Sequence, residues 1–226
     1  MFESSPLPLN KREILRYLGY KRKQELTPAM EQTIEELMLE VQTVAQPRYS
    51  FQIFDCQPLP EVPAIQVVGT DLILKGKSIY NHLKSAEQVV LLAATLGIEV
   101  ERRIRQYELT ELSKSLILDA CCTEYIEKIC DFAECEIANE MPEAFMNRRF
   151  SPGYGDLPLA TQPDFFAVLE ADKKLGIHLS SSLLMIPRKS ITAIIGLFAD
   201  EAVARPRRKG NTCKDCSMQT TCNYRR

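Results

Sequence analysis

Histidine is nearly absent from this chain of 226 residues. Only His82 and His178 occur, in unrelated contexts, so a histidine-based zinc hydrolase has no ligand set to build from. Each reads as a surface or capping residue. Charge of one sign is also lacking: 28 basic against 30 acidic residues leave a formal net charge of −2. No global field recommends nucleic acid or an anionic membrane as the main partner. Apolar runs are short. Val89–Ala94 and Ile191–Phe198 fall far below the roughly 20 residues that span a bilayer. The first nine residues carry prolines and a glutamate, unlike a signal peptide. The expected location is cytoplasmic, with no membrane partner.

Two cofactor signatures are missing as well. Gly153-Tyr154-Gly155-Asp156-Leu157-Pro158 starts like a dinucleotide fingerprint but ends in proline, with no strand leading cleanly into it. A Rossmann dehydrogenase or methyltransferase is therefore disfavoured. A cobalamin-binding module would show Asp-x-His-x-x-Gly, whereas Tyr80 and Ser85 flank His82 at those positions. The chain is not expected to ligate cobalt through that motif.

What is present is an ordinary globular composition, 45% hydrophobic and 26% charged, which can bury a real core. Asn10 reads as the N-cap of a short helix, and Thr27-Pro28 as the start of a second that Pro47 closes. Tyr49, Phe51 and Ile53 alternate as in a strand, and Pro58, Pro60 and Pro63 read as a stiff connector. Ile65–Val68 and Leu72–Leu74 form a hairpin pattern around Gly69. A helix over Lys77–Ser85 precedes a buried strand at Val89–Ala94 and a helix through Arg105. From about Leu109 to Glu140 runs the strongest helical pattern, with Leu112, Leu116, Ile117, Ala120, Ile126, Ile129 and Ala133 on its apolar face. Further expectations are a helix over Phe165–Leu175 stopped by Gly176, and strands at Ser182–Ile186 and Ser190–Ile195. Hairpin-like pairs outnumber βαβ units, so the expected class is α+β with an antiparallel sheet. The segments are residues 1–60, helical with a first strand; 61–204, the core; and 205–226, a basic cysteine-rich tail.

The most specific local string is Arg149-Phe150-Ser151-Pro152-Gly153-Tyr154. Pro152-Gly153 forces a tight turn and lets a ligand approach the backbone. The flanking arginine and tyrosine suit a carboxylate and an aromatic or sulfonium face. The plainer reading is a surface turn with a solvated arginine. Downstream come Leu169-Glu170-Ala171-Asp172-Lys173, Gly176, Met185-Ile186-Pro187 and Ser190, and upstream Ala93-Ala94-Thr95-Leu96-Gly97.

Together these strings resemble the activation domain of cobalamin-dependent methionine synthase: its Arg-x-Ala-Pro-Gly-Tyr loop, Leu-Glu-x-Glu-Lys helix and Met-x-Pro-x-x-Ser strand pair. The resemblance spans roughly Ile65 to Leu197. It implies a single C-shaped domain with a twisted antiparallel sheet packed by helices. It also implies binding of S-adenosylmethionine and reductive remethylation of a corrinoid. The partner would be a corrinoid protein, or a methionine synthase lacking its own activation domain, with an electron donor such as flavodoxin or ferredoxin. Carried over by position, Arg149 would hold the ligand carboxylate and Ser151 would contact adenine through its backbone. Gly153 would keep the turn, Tyr154 would pack beside them, and Glu127 is the nearest match to a glutamate contact on the preceding helix. Cobalamin would belong to the partner. Whether the chain is itself an enzyme stays open, because a methyl transfer to cobalt needs no acid–base residue. Two departures stand out: Gly155–Leu159 replaces the family's acidic-His-Thr-Glu-Lys segment, and Ile194-Ile195-Gly196 stand where a late aromatic segment is expected.

Of the eight cysteines, Cys56 and the group Cys121, Cys122, Cys130 and Cys135 read as buried thiols of a reducing compartment. Cys213-x-x-Cys216-x5-Cys222 has a ligand-like spacing on a tail whose basic residues at 205, 207, 208, 209, 214, 225 and 226 meet one acid, Asp215. Three thiolates suit an iron–sulfur cluster or zinc with a fourth ligand from elsewhere; free thiols on a basic tail are the alternative. A competing function follows: a metal-stapled binding protein with a vestigial ligand pocket, whose tail contacts protein or nucleic acid. Anaerobically purified protein is expected to carry iron and sulfide that are lost on truncation at Arg205. Elemental analysis checks this, and stoichiometric zinc or no metal would remove the cluster.

Overall fold

The computed structural model describes residues 6–21 and 24–204; the tail cysteines Cys213, Cys216 and Cys222 lie outside them. Six strands form one antiparallel sheet in the order β3-β2-β1-β4-β8-β5. They are β1 (Arg48–Leu59), β2 (Ala64–Val67), β3 (Ile73–Lys75), β4 (Gln88–Thr95), β5 (Phe145–Met146) and β8 (Ser190–Phe198). A separate hairpin pairs β6 (His178–Leu179) with β7 (Met185–Ile186). Helices α1 (Lys11–Tyr17), α2 (Pro28–Val44), α4 (Glu99–Thr110) and α5 (Leu112–Glu140) cover one face. Helices α3 (Lys77–Leu83), α6 (Gln162–Leu169) and α7 (Ala171–Leu175), with the β2–β3 hairpin, pack on the other. A short α8 (Glu201–Ala204) follows β8. The α+β class with an antiparallel sheet holds.

The sheet sorts its side chains by strict alternation. Val90, Leu92 and Ala94 of β4 point with Ala193 and Ile195 of β8 toward α5 and its neighbours. Val89, Leu91 and Ala93 point with Ile194 toward α3, α6 and α7. Both faces being covered, these two strands read as continuous apolar runs rather than amphipathic ones. Ile14 of α1 and Ile34 and Leu37 of α2 share the α5 core, so these two helices bury their apolar faces in the same interior as the rest.

Asn10 caps α1 through its side chain to the Arg12 N–H at 3.0 Å, and Thr27 caps α2 through the Met30 N–H at 3.3 Å. The 29-residue α5 contains no proline or glycine and stops two residues before Pro142. Four local expectations are corrected. Strand β1 runs on through Pro58 instead of ending at Ile53. The Cys56 N–H faces Glu87 on the β4 side, so the Pro58 nitrogen faces the same way, beyond the end of β4, where no ladder bond is lost. The expected helix over Phe165–Leu175 is split at Glu170, whose φ of 52° breaks it into α6 and α7. Only Met185–Ile186 of the expected strand at Ser182–Ile186 is extended. Leu112 and Leu116, expected in the apolar face, are exposed, because the buried stripe of α5 runs through Ser115, Leu118, Cys122 and Ile126.

Cys121, Cys122 and Cys130 are buried as expected, whereas Cys135 is exposed on the solvent side of α5 and Cys56 is half-buried, 3.5 Å from the Ala86 carbonyl oxygen. Burial pushes the Cys56 thiol up to about 11 and those of Cys121 and Cys130 up to about 12. Alkylation with iodoacetamide at pH 8, read by peptide mapping, is therefore expected to label Cys135 within minutes. Cys121, Cys122 and Cys130 should react only after unfolding. Rapid labelling of Cys130 in the native chain would contradict this packing.

Candidate functional site

The loop after α5 is fastened to the sheet before it reaches the site. Asn147 accepts from the Gly196 N–H at 2.8 Å through its side-chain oxygen and donates to the His82 carbonyl at 2.9 Å. His82 Nε2 donates to the Arg148 carbonyl at 2.8 Å, and its ring lies 5.2 Å from that of Phe150. Phe150 and Ile194 then exchange both backbone bonds, at 2.9 and 2.7 Å. His82, read from sequence as a surface residue, thus anchors this loop.

Beyond Phe150 the chain makes two consecutive turns. The Tyr154 N–H donates to the Ser151 carbonyl at 3.0 Å across Pro152-Gly153, with Gly153 at φ 90°, a type II turn. The Leu157 N–H donates to the Tyr154 carbonyl at 3.0 Å, with Gly155 at φ 56°. Asp156 between them reaches across the chain. Its carboxylate accepts from the Lys77 and Ser78 N–H groups at 2.6 and 2.9 Å, capping α3, which has no side-chain cap of its own. These bonds hold the exposed Asp156 carboxyl below its ordinary value. The Gly155–Leu159 departure therefore has a structural job. It pins the turns to α3.

One cavity of about 390 Å³ lies between this loop, α5, the start of β8 and the β6–β7 hairpin. Glu127, Arg149, Ser151 and Tyr154 line it, so four of the five ligand residues chosen from sequence converge there, and Gly153 shapes the turn that carries them. Sequence reasoning missed its floor, Gln162 and Ser190–Thr192, and its apolar side, Leu159 and Leu183–Met185. The Thr192 hydroxyl donates to Gln162 Oε1 at 3.0 Å, fixing the amide.

It also missed two acids that matter to Arg149. The guanidinium bonds Glu127 at 2.8 Å, Asp131 at 3.2 Å and Glu134 at 2.7 Å. The spacing 127, 131, 134 puts all three on one face of α5, a signal that could have found them. Burial of Arg149 works against its charge, but Glu134, Glu127 and Asp131 outweigh it and raise its pKa. Arg149 is thus neither solvated nor idle. Its donors are turned to α5, where a ligand carboxylate must compete with three others. Among the described residues no group of His, Cys, Asp and Glu is arranged to hold a metal ion, and no helix is long and apolar enough to cross a membrane.

No family model matches the chain, and no curated protein sequence matches it significantly. Among solved structures it is similar to the crystal structure of the MetH reactivation domain bound to AdoHcy, with a TM-score of 0.61 at 14% identity. The match covers 86% of this chain and 71% of that one. The likeness shows the fold: a six-stranded antiparallel sheet packed by helices.

Gly76 tests the Asp156 pin. It has φ 142°, and a Cβ there would stand 2.6 Å from Asp156 Oδ1 and 2.9 Å from its backbone oxygen. Gly76→Ala is expected to cost about 1–3 kcal/mol in chemical denaturation. The cap itself contributes fully above the ordinary carboxyl value of 3.8 and is lost as the pH falls through the lowered folded value. Asp156→Asn should accordingly flatten the acid limb of the stability profile. An unchanged limb would show that the cap carries no linkage.

Proposed function

We propose that the chain binds S-adenosylmethionine in this cavity and supports reductive remethylation of a corrinoid held by a partner. The observation that carries the reading is the convergence of Glu127, Arg149, Ser151 and Tyr154 on one cavity, in a fold whose MetH counterpart is bound to AdoHcy. About 390 Å³ falls within the roughly 300–1,000 Å³ of small-molecule sites. The amino-acid end of the ligand would lie across the Glu127–Arg149 pair, its ammonium toward the acid and its carboxylate toward the guanidinium. The adenosine end would lie along the Ser151–Gly153 backbone, with the Tyr154 ring beside it and Leu183–Met185 as the apolar side.

The partner, a corrinoid protein or a methionine synthase without its own activation domain, would supply a reduced cobalt nucleophile. A flavodoxin- or ferredoxin-type donor would supply the electron. A sulfonium is already a good leaving group, so no acid or base is needed from this chain. Its residues orient the ligand and shield it from water. Thiolates Cys213, Cys216 and Cys222 would serve as an electron entry if they hold an iron–sulfur cluster, or as a staple if they hold zinc. One observation favours the second reading, a binding protein with a vestigial pocket: among the described residues the Arg149 guanidinium bonds the chain's own carboxylates.

Calorimetry separates the two. Saturable binding of S-adenosylmethionine is expected, with Tyr154→Phe near wild type and Tyr154→Ala weakened about tenfold, the order of a lost ring contact. The isolated chain should consume no S-adenosylmethionine; turnover should need both a corrinoid protein and a reductant, and should stop at one methyl per cobalt. Absence of binding heat would leave the vestigial reading. Steady hydrolysis by the chain alone would remove the proposed division of labour.

A further inference from the structure

Two neutral polar side chains are buried at the floor of the cavity. Gln162 and Thr192 are 3% and 2% exposed, and both line it. Gln162 opens α6 directly behind the short 3-10 turn Leu159–Thr161, and its backbone N–H donates to the Leu159 carbonyl. Pro163 follows, so the backbone is fixed on both sides. The side-chain oxygen of Gln162 is taken by the Thr192 hydroxyl at 3.0 Å. Its amide nitrogen has no partner among the described residues. No fully enclosed side-chain nitrogen or oxygen among those residues lacks a partner, so this nitrogen is not sealed in the core. It opens on the cavity. A buried amide that has spent its oxygen and kept its N–H groups is a donor of fixed direction.

We infer that Gln162 is a specificity-determining residue: its amide N–H donates to a ring nitrogen of the adenine base, and Thr192 is the positioning residue that turns the amide. The inference rests on the proposed reading of the cavity. Placement puts Gln162 on the nucleoside side. Leu159, one turn earlier, lies 3.6 Å from where a Cβ on Gly153 would stand. Ser151, Leu159 and Gln162 therefore follow one another along the wall assigned to adenosine, whereas Glu127 and Arg149 take the amino-acid end. Neither Gln162 nor Thr192 belongs to the set carried over from the activation-domain loop. A purine ring nitrogen is the match because it accepts and cannot donate. A base presenting C–H or N–H at that point leaves the buried amide N–H desolvated and unpaired, which corresponds to about tenfold in affinity or more. Without the Thr192 hydroxyl the amide is free to turn, and its oxygen can meet the base instead.

Equilibrium binding to the full chain tests this, with S-adenosylhomocysteine and its three analogues in which N1, N3 or N7 of adenine is replaced by C–H. One analogue is expected to bind the unaltered chain about tenfold weaker than the parent. In Gln162→Met the parent should fall by a similar factor, and the gap between the two should close. 5′-Methylthioadenosine lacks the amino-acid end and should show the same loss in Gln162→Met, as a contact to the base requires. Thr192→Val should narrow the gap and Thr192→Ser should keep it. A merely structural Thr192 would change stability and leave that ratio where it was. These two variants decide the matter if Gln162→Met does not fold. Equal affinity for the parent and all three analogues overturns the inference and leaves the cavity reading standing. So does a gap that persists in Gln162→Met, or in Thr192→Val where that variant must stand in. Failure of both S-adenosylhomocysteine and 5′-methylthioadenosine to bind the unaltered chain overturns the cavity reading itself, and the inference with it.

Discussion

The pairing of β4 with β8 is the constraint on which everything else in the molecule hangs. Eight residue pairs, from Gln88 with Leu197 to Thr95 with Ser190, lock the register, and a slip of one would send Leu92 and Leu91 to each other's cores. Because both faces are covered, neither strand has a polar side to spare. The site inherits this rigidity directly. Its floor, Ser190–Thr192, is the start of β8, and the Arg149 loop is stitched to Ile194 four residues from the start of the same strand. Even the hydroxyl of Ser190 is spoken for, donating to the Pro187 carbonyl at 2.7 Å beside Thr95.

A loop positioned this way does not need a matching sequence throughout. The two turns after Phe150 keep their shape because Gly153 and Gly155 adopt positive φ, and because Asp156 trades a local role for the distant one of capping α3. The cap also explains why Gly76 must be glycine, since the carboxylate occupies the space a side chain would take. Loop and α3 are therefore a unit, joined again by His82 and Arg148.

Much of this was legible in the residues. Asn10, Thr27, Gly69 and Gly176 mark ends and turns whose chemistry is local, and the alternation of β4 and the period of α5 announce themselves within short windows. The Arg149–Tyr154 string reads on its own as a surface turn, and it was the resemblance to the activation-domain loop that singled out its residues and Glu127, which the fold brings to one cavity. What stayed hidden is what depends on distant partners. Pro58 continues a strand only because β4 has ended beside it. Glu170 breaks a helix without any glycine or proline to say so. Leu116 is exposed because the buried stripe of α5 is set by the sheet beneath it. The spacing of Glu127, Asp131 and Glu134 groups the three acids on one helical face, but that they meet Arg149 depends on the distant loop.

The shape of the cavity and the chemistry proposed for it make the same demand. A methyl group that must be handed to a nucleophile on another molecule cannot be sealed in a pocket, and Tyr154 and Leu184 at the rim are 63% and 61% exposed. An open site gives up the low dielectric that an enclosed one uses to strengthen each hydrogen bond. In the proposed reading, orientation must then come from many weak contacts on a fixed frame rather than from one strong hydrogen bond. The stitched loop provides that frame, and the α5 acids hold Arg149 in it. Shielding of the ligand from water would be completed by the corrinoid partner proposed to dock over the exposed rim.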